Sequence, residues 1–462
     1  MFPVSTYVER RQKLKAILKN GLYIFTGNSE LPMNYPANAY HFRQDSTFLY
    51  FFGIDEPGLA AVIDIDNDKE IIFGNDVDIE DVIWTGPLPL LKDKAQKVGI
   101  NDTRPFSAYT DYINDAKKQN RRIHFLPPYN PNTKIHISTL LGIPVEKLKE
   151  NASMELTHAV ITLRSIKSAE EIAEIEKGME VAYDMFLMGM KLAKEGRYEY
   201  EISGTMEGIA MANNGSVSFP IILSVRGEVL HGHAHGNMMK NGDLLLIDAG
   251  FETPLHYATD HTRTIPVSGK FTKKQKEIYQ IVLNAQLSAI EAIKPGVKYQ
   301  DIHLLSCKVI ADGLKKTGLM KGDTEEAVKQ GAHALFLPHG LGHMMGLDVH
   351  DMEDIGQIYV GYDDELRPID QFGTAYLRLG RRLQPGFVLT VEPGIYFIPE
   401  LYNLWKSENK FTEFINYDKV KEYLDFGGIR IEDDVLVTEA GYKILGKPIP
   451  KKIADIEELM KD

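Results

Sequence analysis

The chain has 462 residues, 44% of them hydrophobic and 25% charged, which excludes a disordered or fibrous protein and is too much for one ordinary core. Its 52 lysines and arginines against 65 aspartates and glutamates leave a formal charge of −13, which repels a phosphate backbone and excludes nucleic acid as an expected partner. The one cysteine, Cys307, excludes an intrachain disulfide and suits a reducing compartment.

Residues 1–19 mix Glu9, Arg10, Arg11, Lys13 and Lys15 among apolar positions, so they lack the core of a signal peptide, and no later run reaches the length of a membrane span. A soluble cytoplasmic protein with no membrane partner is expected. From 4 to 144, short helical patterns alternate with β-branched or aromatic runs at residues 22–26, 60–65, 71–74 and 122–126, which predicts a small α/β domain over 1–160. Within it, residues 40–53 (YHFRQDSTFLYFFG) are unusually aromatic and read as a core strand pair, with a contact surface as the alternative. After Gly142 and Pro144 a connecting helix is predicted to begin near Val145.

The second domain, 161–462, opens with Ser168 and Glu171 in capping-box spacing ahead of an amphipathic run to Lys194, the mark of a long helix. A second helix is predicted over 199–212, and a third from Thr272, with Gln275 in the capping place, to Ile293 before Pro295 and Gly296 stop it. Strands are expected over 244–260 and 388–437. The order helix, helix, strands thus occurs twice and suggests two similar halves, although no residue-level repeat is visible. Cys307 lies in the apolar stretch 302–310 and reads as a buried bystander rather than a nucleophile.

The chemistry concentrates in five separated segments, each offering one candidate metal ligand: LLLIDAG with Asp248, YATDHTRT with Asp260, PHGLGHMMGLDVHD with His343, LTVEPG with Glu392 and GGIRIEDD with Glu432. The run Leu244, Leu245, Leu246, Ile247 is wholly apolar, and a strand buried on both faces would carry Asp248 inside. A buried carboxylate must be paired, protonated or bound to metal. Four carboxylates would be balanced by two divalent cations, with one imidazole and a bridging hydroxide completing the shell. Manganese suits such oxygen-rich ligands, with cobalt or zinc as alternatives. Two ions about 3.5–4 Å apart activate a shared water and hold an oxyanion, which is hydrolysis without a covalent intermediate.

Taken one at a time, these residues have plainer readings. Asp248 before Ala249-Gly250 and Glu392 before Pro393-Gly394 each fit an ordinary turn. His339 and His343 have the spacing of a helical zinc pair, but Pro338 and two glycines oppose a helix and the accompanying glutamate is missing. The acidic run Glu432 to Asp434 fits a solvated face, except that Ile429, Ile431, Val435 and Val437 bury one side and leave Glu432 with Arg430 and Asp434. Jointly the five are hard to obtain by chance.

Together these motifs resemble the pita-bread metallopeptidases that act on proline peptides, aminopeptidase P and prolidase, over about 168–441. Residues 40–53, Glu56-Pro57-Gly58 and Trp84-Thr85-Gly86 resemble the N-terminal domain of those enzymes. The resemblance implies a small α/β domain followed by a pita-bread α+β domain of the creatinase/aminopeptidase type. It implies that Asp248, Asp260, His343, Glu392 and Glu432 bind the metals, and that Glu392 also takes a proton from the attacking water. His231 and His350 would steady the tetrahedral intermediate, Arg378 would grip a dipeptide's free carboxylate, and His339 and Arg430 would contact substrate. Trp84 would reach a neighbouring active site in a homodimer or homotetramer; as one of two tryptophans it could instead be core.

Two departures stand out. Asp248 and Asp260 are twelve positions apart, one more than usual in the family, and a histidine-rich HGHAH at 231–235 replaces a more varied segment. His231, His233 and His235 could share one face of a surface strand, with a further metal on that row as a weaker reading. The expected reaction is hydrolysis of the bond between an N-terminal residue and a proline in second position. A dipeptidase is favoured over an aminopeptidase acting on longer peptides, because of Arg378 and the long insertion within 393–426. A non-catalytic pita-bread binding module is the alternative from another class, and it predicts eroded ligands.

Overall fold

The computed structural model describes residues 1–267 and 269–461. They form two compact units, one of Met1–Arg164 with Met352–Tyr359, the other of Ser165–Asp351 with Val360–Asp462. No helix among the described residues is long and apolar enough to cross a membrane.

The first unit holds strands β1 (Leu22–Thr26), β2 (Ala60–Asp64), β3 (Lys69–Phe73), β4 (Asp102–Arg104) and β5 (Ile123–His124) in the order β4-β3-β2-β1-β5. β1 to β3 pair antiparallel, while β4 and β5 add as parallel edges. Its helices are α1 (Val4–Ile17), α2 (Ser46–Phe52), α3 (Ile79–Thr85), α4 (Leu91–Gln96), α5 (Ser107–Lys118), α6 (Pro131–Leu141), α7 (Leu148–Asn151) and α8 (Met154–Ser165). Leu22 and Ile24, Ala60 and Val62, and Ile71 and Phe73 follow the two-residue period of one sheet face and pack against Tyr109 and Ile113 of α5 and Ile137 and Leu140 of α6.

The aromatic stretch expected as a strand pair is instead the helix α2. Asp45 caps it by accepting the Phe48 N–H at 2.8 Å, and Gly53 ends it in the left-handed conformation at φ 61°. All seven residues of α2 are buried, so the core assignment for them stands. An apolar run of this length carries no periodicity by which helix and strand differ, which is why the sequence pattern misleads here. Arg10 and Arg11, two charges that argue against a signal peptide, are core residues. Arg11 is fully buried and donates to the Phe51 carbonyl at 2.9 Å and the Val98 carbonyl at 2.8 Å, and Arg10 donates to the Tyr50 carbonyl at 3.0 Å. Their cations satisfy the last carbonyls of α2, where the helix dipole favours positive charge.

The second unit begins with α9 (Ala169–Leu192) and α10 (Glu199–Ala212), then β6 (Ser216–Val217), β7 (Ile222–Ser224), β8 (Leu244–Ala249), β9 (Phe251–Glu252) and β10 (His261–Pro266). It continues with α11 (Lys273–Glu291), α12 (Tyr299–Lys316) and α13 (Thr324–Gln330); after α14 (Glu353–Gly361), most of which belongs to the first unit, come β11 (Val388–Val391), β12 (Gly394–Tyr396), α15 (Pro399–Ser407), α16 (Tyr417–Lys421), β13 (Gly428–Arg430), β14 (Asp433–Val437), β15 (Tyr442–Ile444) and α17 (Ile453–Leu459). Ser168 with Glu171 and Thr272 with Gln275 form the two reciprocal capping boxes that the sequence announces.

The helix pairs α9/α10 and α11/α12 each precede antiparallel strands, ordered β10-β8-β7 and β11-β14-β15. Every residue of β8 and β10 is buried, so the apolar run of β8 is covered on both faces. An isolated bridge between Thr262 and Glu432 links the two strand systems, and another between Met344 and Leu389 ties the glycine-rich 338–343 segment to β11. The insertion within 393–426 folds into α15 and α16 and contributes Tyr402, Trp405 and Tyr417 to the main core.

Replacing Phe52 by alanine tests the core assignment of α2. Its fully buried ring lies 5.3 Å from that of Phe25 and 5.0 Å from that of Phe48. The expected loss is about 3–5 kcal/mol in urea denaturation followed in the N-terminal unit. A loss below about 1 kcal/mol would show that the ring is not core.

Candidate active site

A cavity of about 420 Å³ in the second unit is lined by Asp248, Asp260, His343, Glu392 and Glu432, together with His231, His233, His339, His350, Arg378 and Arg430. Five segments, spread over nearly two hundred positions, thus contribute to one surface. Asp248 rides on β8, paired opposite Thr262 of β10, and Asp260 immediately precedes β10. Between them Gly250 approaches so closely that a Cβ there would lie 1.7 Å from the Thr259 carbonyl oxygen. The connection includes a turn in which His256 takes a φ of 65°.

His343 is delivered by close backbone approach rather than by a helix. A Cβ on Gly342 would meet the Thr390 carbonyl oxygen at 2.1 Å, so glycine lets the segment lie against β11. The Thr390 N–H donates to the His343 carbonyl at 3.0 Å, the His343 N–H donates to Thr390 Oγ1 at 3.1 Å, and the Glu392 N–H donates to the Leu341 carbonyl at 2.9 Å. Thr390 therefore fixes His343 and Glu392 relative to each other.

The ligand atoms of Asp260, His343 and Glu432 lie within 4.8 Å of one another and all three residues are buried. His343 Nε2 is 3.4 Å from Asp260 Oδ2 and 3.7 Å from Glu392 Oε1. Its Nδ1 lies 3.0 Å from the Met344 carbonyl, to which it donates in the neutral tautomer, so the Nε2 lone pair then faces carboxylate oxygens. Acceptor facing acceptor is repulsive unless a cation or a proton sits between them. Asp248 Oδ1 and Asp260 Oδ1 are likewise buried without a hydrogen-bond partner. Orphaned oxygens and an aimed imidazole fit a hard divalent cation.

Electrostatics agrees. Burial, and then the neighbouring carboxylates, pushes Asp260 and Glu432 well above the usual carboxylate range. Glu392 is pushed up to about 7, chiefly by burial, with His343 and Arg430 opposing. One counter-charge is built in: Arg430 is buried and donates to Asp248 Oδ2 at 2.6 Å, Tyr396 Oη at 2.8 Å and Thr262 Oγ1 at 3.1 Å. Arg430 lines the cavity, yet Nε, Nη1 and Nη2 each already donate to a group of the chain. Four carboxylates and this guanidinium carry a formal charge of −3, which two divalent ions balance to within one charge. Around them, Thr262 donates to Glu432 Oε2 at 2.6 Å and the Asp260 N–H donates to Asp434 Oδ2 at 2.8 Å. Asp433 faces the other way and takes Arg263 at 2.6 Å and Lys451 at 2.5 Å.

The remaining candidates are distributed unevenly. The His350 ring stands 4.3 Å from that of His343. His339 is held neutral, its pKa lowered to about 3 mainly by burial, with Nε2 2.9 Å from Tyr396 Oη and Nδ1 2.7 Å from the Gly340 carbonyl. The HGHAH segment is irregular rather than a strand: His231 and His233 line the cavity, while His235 is held by Ser203 Oγ at 3.0 Å and the Ile221 carbonyl at 2.9 Å. Arg378 lines the cavity, whereas Arg381 stacks over Phe387 and Arg382 pairs with Glu365. Trp84, on α3 of the first unit, is 85% exposed, which removes the core reading, and it is not among the residues lining this cavity.

Tyr396 and Thr390 escape the sequence reading. Tyr396 Oη sits between Arg430 and His339, and the only signal was its even offset from Glu392. Phe219, Pro220, Leu230 and Val349 supply an apolar wall that no motif marks.

A buried carboxylate cluster with an aimed imidazole is the centre of a metallopeptidase, and the comparisons give its class. Residues 173–439 match Metallopeptidase family M24, to which the chain belongs. Residues 7–124 match the aminopeptidase P N-terminal domain. The chain is 31% identical to Xaa-Pro dipeptidase of Homo sapiens over 98% of this chain and 91% of that protein. It is 35% identical to a probable Xaa-Pro aminopeptidase of Fusarium vanettenii over 91% of this chain and 87% of that protein. Among solved structures, zinc-substituted Escherichia coli aminopeptidase P in complex with product is similar at a TM-score of 0.81 and 30% identity, covering 99% of this chain and 98% of that one.

A pH dependence follows from Glu392. Its folded pKa, about 7, lies above its ordinary value of 4.5, so folding favours the neutral form. That contribution is complete below about 4.5 and is lost as pH rises through about 7. Chelator-treated protein is expected to lose melting temperature across this window, less steeply in E392Q, and saturating Mn2+ should reverse the trend. A flat profile in the metal-free wild type would contradict the clustering.

Proposed function

We propose that this chain hydrolyses the Xaa-Pro bond at the N-terminus of short peptides, with Xaa-Pro dipeptides favoured as substrates. The observation that carries this reading is one cavity holding four carboxylates, His343 and Arg378. Asp248, Asp260, His343, Glu392 and Glu432 would hold two divalent ions, with manganese preferred and cobalt or zinc able to replace it. When bound, such a pair supplies Lewis acidity and lowers the pKa of water. Residues 1–160 and 161–462 act as the N-terminal and catalytic domains.

The chain's own residues do the rest. Glu392, which lines the same cavity as the other four candidate ligands, takes the proton of the attacking water as general base. His231 and His350 donate N–H hydrogen bonds to the oxyanion of the tetrahedral intermediate, and the proton taken up by Glu392 passes through His350, or a water it holds, to the leaving proline nitrogen. A tertiary amide offers no N–H, so recognition falls on ring packing against Phe219, Pro220, Leu230 and Val349. Arg378 takes the proline carboxylate as a guanidinium fork, His339 borders the substrate, and Arg430 acts by holding Asp248. The exposed Ile79, Ile83 and Trp84 of α3 support a homodimer or homotetramer in which Trp84 meets a second copy. The single buried cysteine suits a cytoplasmic location.

An Xaa-Pro aminopeptidase acting on longer peptides is the second reading, favoured by the likeness to aminopeptidase P structures. Rates on Gly-Pro and Gly-Pro-Gly-Gly with Mn2+ separate the two. The dipeptide is expected to be faster, and R378L should raise its KM by about 10- to 150-fold, as loss of a charged hydrogen bond implies. A faster tetrapeptide, together with an unchanged dipeptide KM in R378L, would overturn the dipeptidase assignment. H350A should lower kcat by about 10²- to 10⁴-fold with little change in KM. Unchanged turnover would remove the proposed role of His350.

A further inference from the structure

Apart from the carboxylate cluster, one other group of potential ligands converges among the described residues. His303 and Cys307 stand one turn apart on α12, and His333 belongs to the short helical turn Ala332–Leu335. Their ligand atoms lie within 4.8 Å of one another, and none of the three side chains is more than 1% exposed. Cys307 Sγ is 3.5 Å from His303 Nε2. Both nitrogens of His333 are buried without a hydrogen-bond partner. A neutral imidazole has one donor and one acceptor, and leaving both unmet inside an apolar core is costly.

We propose that His303, Cys307 and His333 form a second, separate metal site that takes one thiophilic d10 cation, Zn2+ or Cu+, and so ties α12 to the turn leading into the catalytic 338–343 segment. Donors about 2.0–2.3 Å from a common ion lie within about 4 Å of one another, so closing the site requires movements of about 1 Å. Burial holds the imidazoles neutral, as ligands must be: His303 is lowered to about 3 and His333 to about 4. The ion replaces the thiol proton, forming one metal–sulfur bond and releasing one proton to solvent, with no change of oxidation state. Chemistry separates the two centres. One thiolate with two imidazoles selects a soft ion, whereas the carboxylate cluster selects a hard one. With Cu+ the trio would be neutral overall, which suits the apolar core that Cys307 shares with Ile310, Leu314 and Leu335.

Cys307 is the only cysteine in the chain, so any thiolate-to-metal signal reports on this site alone. The test is to produce the full-length protein in cobalt-supplemented medium and record its near-ultraviolet spectrum. A sulfur-to-cobalt charge-transfer band is expected in the wild type and should be absent in C307S and H333F, while the visible bands of oxygen-ligated cobalt persist. Elemental analysis of protein made without added cobalt should show one zinc or copper per chain that both variants lack, which also identifies the ion. Wild-type protein with no charge-transfer band, and neither zinc nor copper beyond that retained by C307S, would overturn the proposal. Should C307S fail to fold, H333F supplies the same comparison.

Discussion

Four carboxylates held in one buried cavity are the constraint from which most of the catalytic unit follows. Like charges at this separation repel, and burial removes the water that would screen them. The chain supplies part of the answer itself: Arg430 takes Asp248, and Thr262 donates to Glu432. What remains are orphaned oxygens on Asp248 and Asp260 and an imidazole aimed at carboxylates. A cluster that is uncomfortable without cations is a selective binder of them, because the repulsion it relieves adds to the binding free energy.

The fold meets the geometric demand by putting each acid where its backbone is least free to move. Asp248 lies within the β8/β10 pairing and Asp260 at its start, Glu392 follows β11, and Glu432 sits at the bridge to Thr262. His343 comes from a longer irregular segment, and there the missing side chain of Gly342 allows close approach to β11. Rigid supports matter because a ligand displaced by about 1 Å loses much of its interaction with a small cation. Asp434 and Thr390 then hold the backbone of Asp260 and His343, and Tyr396 holds the ring of His339.

Chain order also explains why the two units differ in what they reveal. The catalytic motifs could be read because each couples an acid or histidine to glycine, proline or an apolar strand, combinations with few other uses. In the N-terminal unit the aromatic run around α2 has a packing role only, and packing is indifferent to whether the backbone is helix or strand. The buried Arg10 and Arg11 show the same limit. Their positions in the sequence look like an exposed basic stretch, and only the free carbonyls at the end of α2 make them interior residues.

Sequence alone determined the two-part architecture, the capped helices of the second unit, the apolar strand beneath Asp248 and the five groups that share the cavity. These depend on local propensity and on residue types at short spacing, which a linear reading contains. Tertiary structure alone decided that Arg430 neutralises Asp248 from 182 positions away, that Tyr396 joins Arg430 to His339, that His235 turns from the cavity while His231 and His233 line it, and that His333 meets His303 and Cys307. Each of those contacts is made by side chains whose proximity is set by how helices and strands pack, and no local pattern encodes that distance.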